Sequence, residues 1–351
     1  MKRFVLGCVC FLSQLIAFDF VFVPDYGPYA KTIFPAGPVT DFRDAPFWWK
    51  IKYLLNREGY NVYGAAANEL PDSREAMQNW LQNAKRNEVK LVLWSQAMPL
   101  ERVQTIGQDY LALLVFEPPS VYPNMHTSSY YNCFSKVITW EDDLIDGQKF
   151  CKFRYPVYNP MTRDTIPLAR RKLCCVMAAN KKSNFINELY SERLKAIQYF
   201  NKYPEHFDLY GPDWHKKGFV CYKGWVEDKI KTLKHYKFAI CYENTKEVKG
   251  YITEKIFDCF QAGVVPVYWG APNITDEVPA NCFIDRRRFS CYEELHQYLL
   301  SMTEEQYNKI LANIRTYLAS EKAQQYSVDA SVVAVVNGLI GTQYTVEDLP
   351  R

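Results

Sequence analysis

"FAICYENTKEVKGYITEKIFDCFQAGVVPVYWG", residues 238–270, reads as a strand, a polar loop, a helix and a second strand. Ile252, Ile256 and Phe260 recur every four residues and make one apolar stripe for a sheet to cover. Tyr251, Glu254, Lys255 and Asp258 fall on the other side, the first three in the expected opening turn, and Gly263 stands where a carboxyl cap belongs. In an open α/β sheet, ligands bind beyond the carboxyl ends of the strands, which is where the 244–250 loop and this opening turn must lie. Lys255 is the anomaly. A helix amino terminus carries partial positive charge and disfavours a second cation unless an anion joins them. Free backbone amides there favour a phosphate, so a diphosphate would resolve the conflict. A surface pair of Lys255 with Glu254 or Glu247 would also resolve it, and spacing alone leaves both readings open.

Working outward, the same alternation continues in both directions. Before the quoted stretch come "KLCCVMAAN", "NELYSERLKAIQYFNKY", "FDLYG" and "VEDKIKTLKHY"; after it comes the strand "NCFID", and residues 303–340 turn helical. Earlier still, "FDFVFVPDYG", "VKLVLWSQ", "YLALLVFEPP" and "FSKVITWEDD" are short apolar runs, with helix-like "APFWWKIKYLLNREG" and "DSREAMQNWLQNAKRN" between them. Strands alternating with helices predict an α/β fold with mainly parallel sheets and helices on their faces. A chain of 351 residues exceeds one ordinary core, so two domains are expected. The Pro-rich, polar stretch 156–171 is the expected linker between a domain over 19–155 and one over 172–340, with 341–351 a tail.

Composition excludes several classes. Apolar residues at 48% and charged residues at 23% match globular averages, which rules out a disordered or fibrous chain. With 42 basic against 39 acidic residues the net charge is +3, too balanced for an electrostatic nucleic-acid face. Eleven cysteines follow no zinc-like spacing and form no even framework, and His126, His206, His215, His235 and His296 are scattered. Neither a G-x-x-x-x-G-K-[ST] loop nor G-x-G-x-x-G occurs, so an NTPase or dinucleotide enzyme is unsupported. The leader, residues 1–18, has two basic residues and then a mostly apolar run. That is the layout of a signal peptide or short signal anchor, the alternative being a buried first element of the fold.

The run "YKFAICYENTKEVKGYITEKIFDCFQAGVVPVYWGAP" closely resembles the nucleotide-sugar motif of the α-1,3-fucosyltransferases, glycosyltransferase family ten. "FEPPS" is similar to that family's Glu-Ser-Pro element, and "DLYG" and "GWVEDKIKTLKHYKF" to the segment leading into the main motif. The resemblance implies a GT-B architecture, two Rossmann-like domains facing a central cleft, with the acceptor held by the amino-terminal domain and GDP-fucose by the carboxyl-terminal one. On the matching positions, Asn244, Tyr251, Glu254 and Lys255 would contact the ribose and diphosphate, and Arg193 would occupy the place of a phosphate-binding arginine. A solvated helix arginine is the plainer reading of Arg193.

Glu117 follows the apolar strand and precedes two prolines, which hold the residue before them extended; that is a stiff seat for a general base. An acidic loop residue bonded to nearby amides is the plainer reading. Here "EPP" replaces the family's "ESP", which affects local acceptor contacts rather than the base. The implied function is an inverting α-1,3-fucosyltransferase acting on a glycan acceptor, N-acetylglucosamine of a lactosamine-type unit. Its rivals are a GT-B enzyme using another nucleotide sugar and a non-catalytic glycan-binding relative. No Asp-x-Asp occurs, so the expectation is a reaction with no required cofactor or metal, a divalent ion being at most stimulatory. No nucleic-acid partner is expected. Membrane association would run through the leader, in a secretory pathway or at the cytoplasmic membrane face of a bacterium. "DRRRF" at 285–289 reads as a solvated turn, and "NIT" at Asn273 matches an N-glycosylation acceptor.

Overall fold

The computed structural model describes residues 20–24, 33–34, 46–70, 75–76, 78–79, 90–95, 98–164 and 166–350. The leader and most of the expected 72–87 helix lie outside them. Contacts divide the chain into two units.

The first unit is built on a parallel sheet of β1 (Phe20–Val23), β2 (Val62–Gly64), β3 (Lys90–Trp94), β4 (Leu111–Leu114), β5 (Lys136–Thr139) and β6 (Phe150–Lys152), in the order β2-β1-β3-β4-β5-β6. Strands covered on both faces read as unbroken apolar runs, and all four residues of β1 and of β4 are buried. Helix α1 (Phe47–Arg57) buries Lys50, Ile51, Leu54 and Leu55. Helix α2 (Leu100–Ile106) buries Val103 and Ile106 and stops at Gly107, where φ is 105°. The chain steps from β1 outward to β2 and then back past β1 to β3, so the topological switch lies between β1 and β3.

The second unit has a parallel sheet ordered β11-β10-β9-β7-β8. Its strands are β7 (Lys172–Met177), β8 (Phe207–Tyr210), β9 (Tyr236–Tyr242), β10 (Val265–Trp269) and β11 (Ile284–Asp285). Between them run α3 (Tyr190–Phe200), α4 (Lys229–Leu233), α5 (Glu254–Ala262) and the short α6 (Ile274–Glu277), followed by α7 (Tyr292–Ser301) and α8 (Glu304–Leu318). Helix α5 buries Ile256, Phe257, Cys259, Phe260 and Ala262 against the sheet, as the stripe predicts. It begins at Glu254, with Thr253 as N-cap, so Tyr251 precedes the helix and is not in its first turn. Gly263 closes it at φ 67°, ψ 42°, the left-handed cap expected there. Here the switch lies between β7 and β9.

The division differs from the expected one at both ends of the second domain. Residues 154–328 cluster together, whereas 329–351 belong with the first unit. The 156–171 stretch is no free linker: the Val157 and Tyr158 amides both donate to the Tyr326 carbonyl, and the Thr162 amide donates to that of Gln261. Arg171 donates to the Ile166 and Gly263 carbonyls. The last long helix, α9 (Val328–Ile340), buries Val332, Val335 and Val336 in the first unit. The buried Lys50 ammonium pairs with Asp329 at 2.6 Å.

Candidate functional site

Helix α5 begins with its cation already answered. Glu243, just past the end of β9, is 0% exposed, and its carboxylate lies 3.1 Å from Lys255 Nζ. Glu243 Oε1 accepts the Thr253 amide at 2.9 Å, and Oε2 accepts the Thr253 hydroxyl at 2.7 Å. A carboxylate from the preceding strand therefore satisfies a free amide at the helix start, and Thr253's own side chain does not cap. Lys255 Nζ also donates to Thr253 Oγ1 at 2.9 Å and faces Glu254 at 3.4 Å.

Arg193 enters from α3. It is 5% exposed and donates to the carbonyls of Tyr242 at 2.8 Å and Glu243 at 3.1 Å, with its guanidinium over the Tyr190 ring. The solvated-helix reading of this arginine is corrected, because it is anchored under the carboxyl end of β9. Burial pushes its pKa down, only partly countered by Tyr190 and Glu243. Burial likewise opposes the charge on Lys255, but Glu243 and Glu254 outweigh it and hold the ammonium above its ordinary range. Burial would raise Glu254, yet Lys255 and Lys229 bring it down to about 2.

A pocket of about 230 Å³ opens at this point, lined among others by Met177, Tyr190, Arg193, Asn244, Glu254 and Lys255. Met177 ends β7 and Asn244 follows β9, so the pocket sits at the switch of the second sheet, where an α/β fold places its ligand. Four of the residues expected from sequence are thus brought together. Tyr251, 1% exposed, stands behind them with its hydroxyl 3.5 Å from Asn244 Nδ2. Glu117 belongs to the first unit, half-buried after β4, with its carbonyl 2.9 Å from His126 Nε2.

Sequence reasoning missed Glu243 and Lys229. Lys229 lines the same pocket and pairs with Asp258 at 2.5 Å. Its signal was available in "VEDKIKTLKHY", where it follows Asp228, the side chain that caps α4. Glu243 gave no signal beyond its place beside Asn244. The "DRRRF" reading is corrected for Arg286, which is 7% exposed and stacked 4.4 Å from the Tyr292 ring centroid; Arg287 forks onto Asp285. Both ends of the Asn273 amide are engaged, by the Gly250 amide and by Asp142. Among the described residues there is no group of three or more His, Cys, Asp or Glu that could hold a metal ion.

Residues 168–335 match the family model described as glycosyltransferase family 10 (fucosyltransferase), C-terminal. Among curated proteins, the chain is 40% identical over 75 residues to an α-(1,4)-fucosyltransferase of Arabidopsis thaliana. It is 35% identical over 74 residues to an α-(1,3)-fucosyltransferase of Helicobacter pylori. These alignments each cover 21% of this chain and span only 18% and 15% of the relatives' own lengths. Among solved structures, an α1,3-fucosyltransferase with GDP superposes at a TM-score of 0.52 and 15% identity, covering 100% of this chain and 96% of that one. An Anabaena protein solved with UDP and glucose superposes at 0.53 and 12% identity, covering 93% and 100%. The chain therefore has the GT-B type of α/β fold, and its residues 168–335 match the carboxyl-terminal domain of glycosyltransferase family 10 (fucosyltransferase).

Proposed function

We propose that the chain is an inverting α-1,3-fucosyltransferase that moves fucose from GDP-fucose to a hydroxyl of a glycan acceptor, N-acetylglucosamine of a lactosamine-type unit. The observation that carries this reading is the pair Lys255 and Arg193 at the amino terminus of α5 and the sheet's switch, inside the domain that matches the fucosyltransferase family. A buried arginine and a half-buried lysine at a helix amino terminus suit a diphosphate whose negative charge grows as the sugar departs. Asn244 and Glu254 then contact the ribose and diphosphate together with Lys255, and Tyr251 supports Asn244 from behind.

Glu117 is the proposed base. It takes the proton from the acceptor hydroxyl as that oxygen bonds to the anomeric carbon on the face opposite the leaving GDP, which inverts the carbon. This scheme needs no metal, because Lys255 and Arg193 supply the positive charge. The proposed membrane association runs through the apolar leader, residues 1–18; no described helix is long and apolar enough to cross a membrane. A second donor is the specific rival, favoured by the comparable superposition of a protein solved with UDP and glucose.

Nucleotide release from a panel of GDP- and UDP-sugars, with and without lactosamine, tests the reading. Acceptor-dependent GDP release from GDP-fucose should fall ~100-fold or more in Glu117→Gln while GDP binding persists, the scale of a lost general base. Turnover of a UDP-sugar would overturn the fucose assignment, and undiminished turnover in the variant would overturn Glu117.

A further inference from the structure

We propose that Glu243 is the positioning residue of the donor site, a carboxylate closed to solvent that fixes the Lys255 ammonium and the start of α5 together. The inference rests on the reading of this pocket as the seat of a nucleoside diphosphate. Glu243 serves both cations. Its side chain holds Lys255 at 3.1 Å, while its carbonyl accepts from Arg193 at 3.1 Å. Its own amide donates to the Trp269 carbonyl at 2.8 Å, which ties the residue to the neighbouring strand. The packing around it leaves no slack: a Cβ on Gly270 would lie 2.5 Å from Glu243 Cγ.

Stability alone does not explain the arrangement. A neutral amide would still pair with Thr253, its oxygen accepting the backbone amide and its nitrogen donating to the hydroxyl, and burying an ion pair is often no better than burying apolar groups of the same volume. The charge on Glu243 has one use that a neutral group lacks, which is to hold a protonated lysine at a helix end that repels it. Without it, the anion closest to Lys255 would be Glu254, whose side chain is 47% exposed and draws the ammonium toward solvent. The remaining charged groups near Lys255 are Asp258 on α5 itself, Lys229 on α4 and Arg193 on α3.

The test is GDP binding by calorimetry on the full chain at neutral pH, for the parent, E243Q, K255M, the double variant E243Q/K255M, G270A and G270A/K255M. E243Q keeps an acceptor oxygen for the Thr253 amide and can donate from its Nε2 to the Thr253 hydroxyl oxygen, yet should weaken GDP ~10-fold, within the range of couplings between contacting residues. In the K255M background the same change should cost less than about twofold, because Glu243 acts through Lys255. G270A leaves every charge in place and presses on Glu243 Cγ and on the Tyr268 ring alike, so it is read against G270A/K255M: the part of its loss that runs through Glu243 should shrink in that background, which carries the comparison if E243Q does not fold. A second readout is pH. Loss of GDP affinity on the alkaline side should begin at lower pH in E243Q than in the parent, a difference absent between K255M and the double variant. Equal losses from E243Q with and without Lys255, or undiminished GDP affinity in E243Q, would overturn the proposal. A parent chain that binds no GDP would instead overturn the donor-site reading beneath it.

Discussion

At Glu254 and Lys255, two adjacent side chains of opposite charge are each driven further into their charged forms by the same neighbourhood. Lys255 gains from Glu243 and Glu254, and Glu254 gains from Lys255 and Lys229, in each case against the opposing effect of burial. The sign of the pH dependence follows. Glu254 ionises at about 2 in the folded chain against 4.5 in its ordinary state, so its contribution is complete above the higher value and disappears as pH falls toward the lower. Glu254→Gln should therefore lower the melting temperature at neutral pH, and the gap to the parent should close as the pH is taken below 4.5. The side chain is 47% exposed, so the effect belongs to the small range of a solvent-screened pair. Melting curves that stay equally separated at all pH values would mean that the carboxylate's charge is not the stabilising feature.

On the scale of elements, α5 was legible in its face and its end but not in its start. Its stripe and Gly263 were both present in the sequence, because periodicity and a left-handed cap are local properties. The start was misplaced by three residues since Ile252, 0% exposed, continues the burial rhythm while lying outside the helix. What ends the extended segment is Glu243, which precedes the N-cap by ten residues; no local pattern reports such a contact. The cap at the other end gives a clean test of backbone conformation. A Cβ on Gly263 would meet only Met161 Sδ at 3.8 Å and Cγ at 3.9 Å, ordinary contacts, so Gly263→Ala carries the cost of the left-handed backbone alone. It should destabilise the chain by about 1 kcal/mol, and Gly263→Asn by less, because asparagine enters that region more readily. Denaturant unfolding of the two variants checks the order.

For the whole molecule, the alternation of strand and helix announced two α/β units, and the resemblance in residues 236–272 announced the donor side. The return of the last helix was not legible. Sequence patterning places α9 after the second unit's helices without a break, whereas the cover for a sheet is chosen by packing: Val332, Val335 and Val336 are buried, and Gly338 lets the helix approach β5 and β6. A Cβ at position 338 would lie 2.5 Å from Ile138 Cδ1 and 3.0 Å from Cys151 Cβ. The Ile138 tip can turn aside, but the Cys151 Cβ is fixed to its strand. Gly338→Val should thus cost ~1–3 kcal/mol, the range for overfilled cores. Because the lost packing lies in the first unit and the donor pocket in the second, calorimetry should resolve the effect. The substitution should lower one unfolding transition, whereas GDP should raise the other by an amount set by its concentration over its dissociation constant. If Gly338→Val lowered instead the transition that GDP raises, the last helix would be contributing to the second unit's stability and the division of the chain at residue 328 would have to be redrawn.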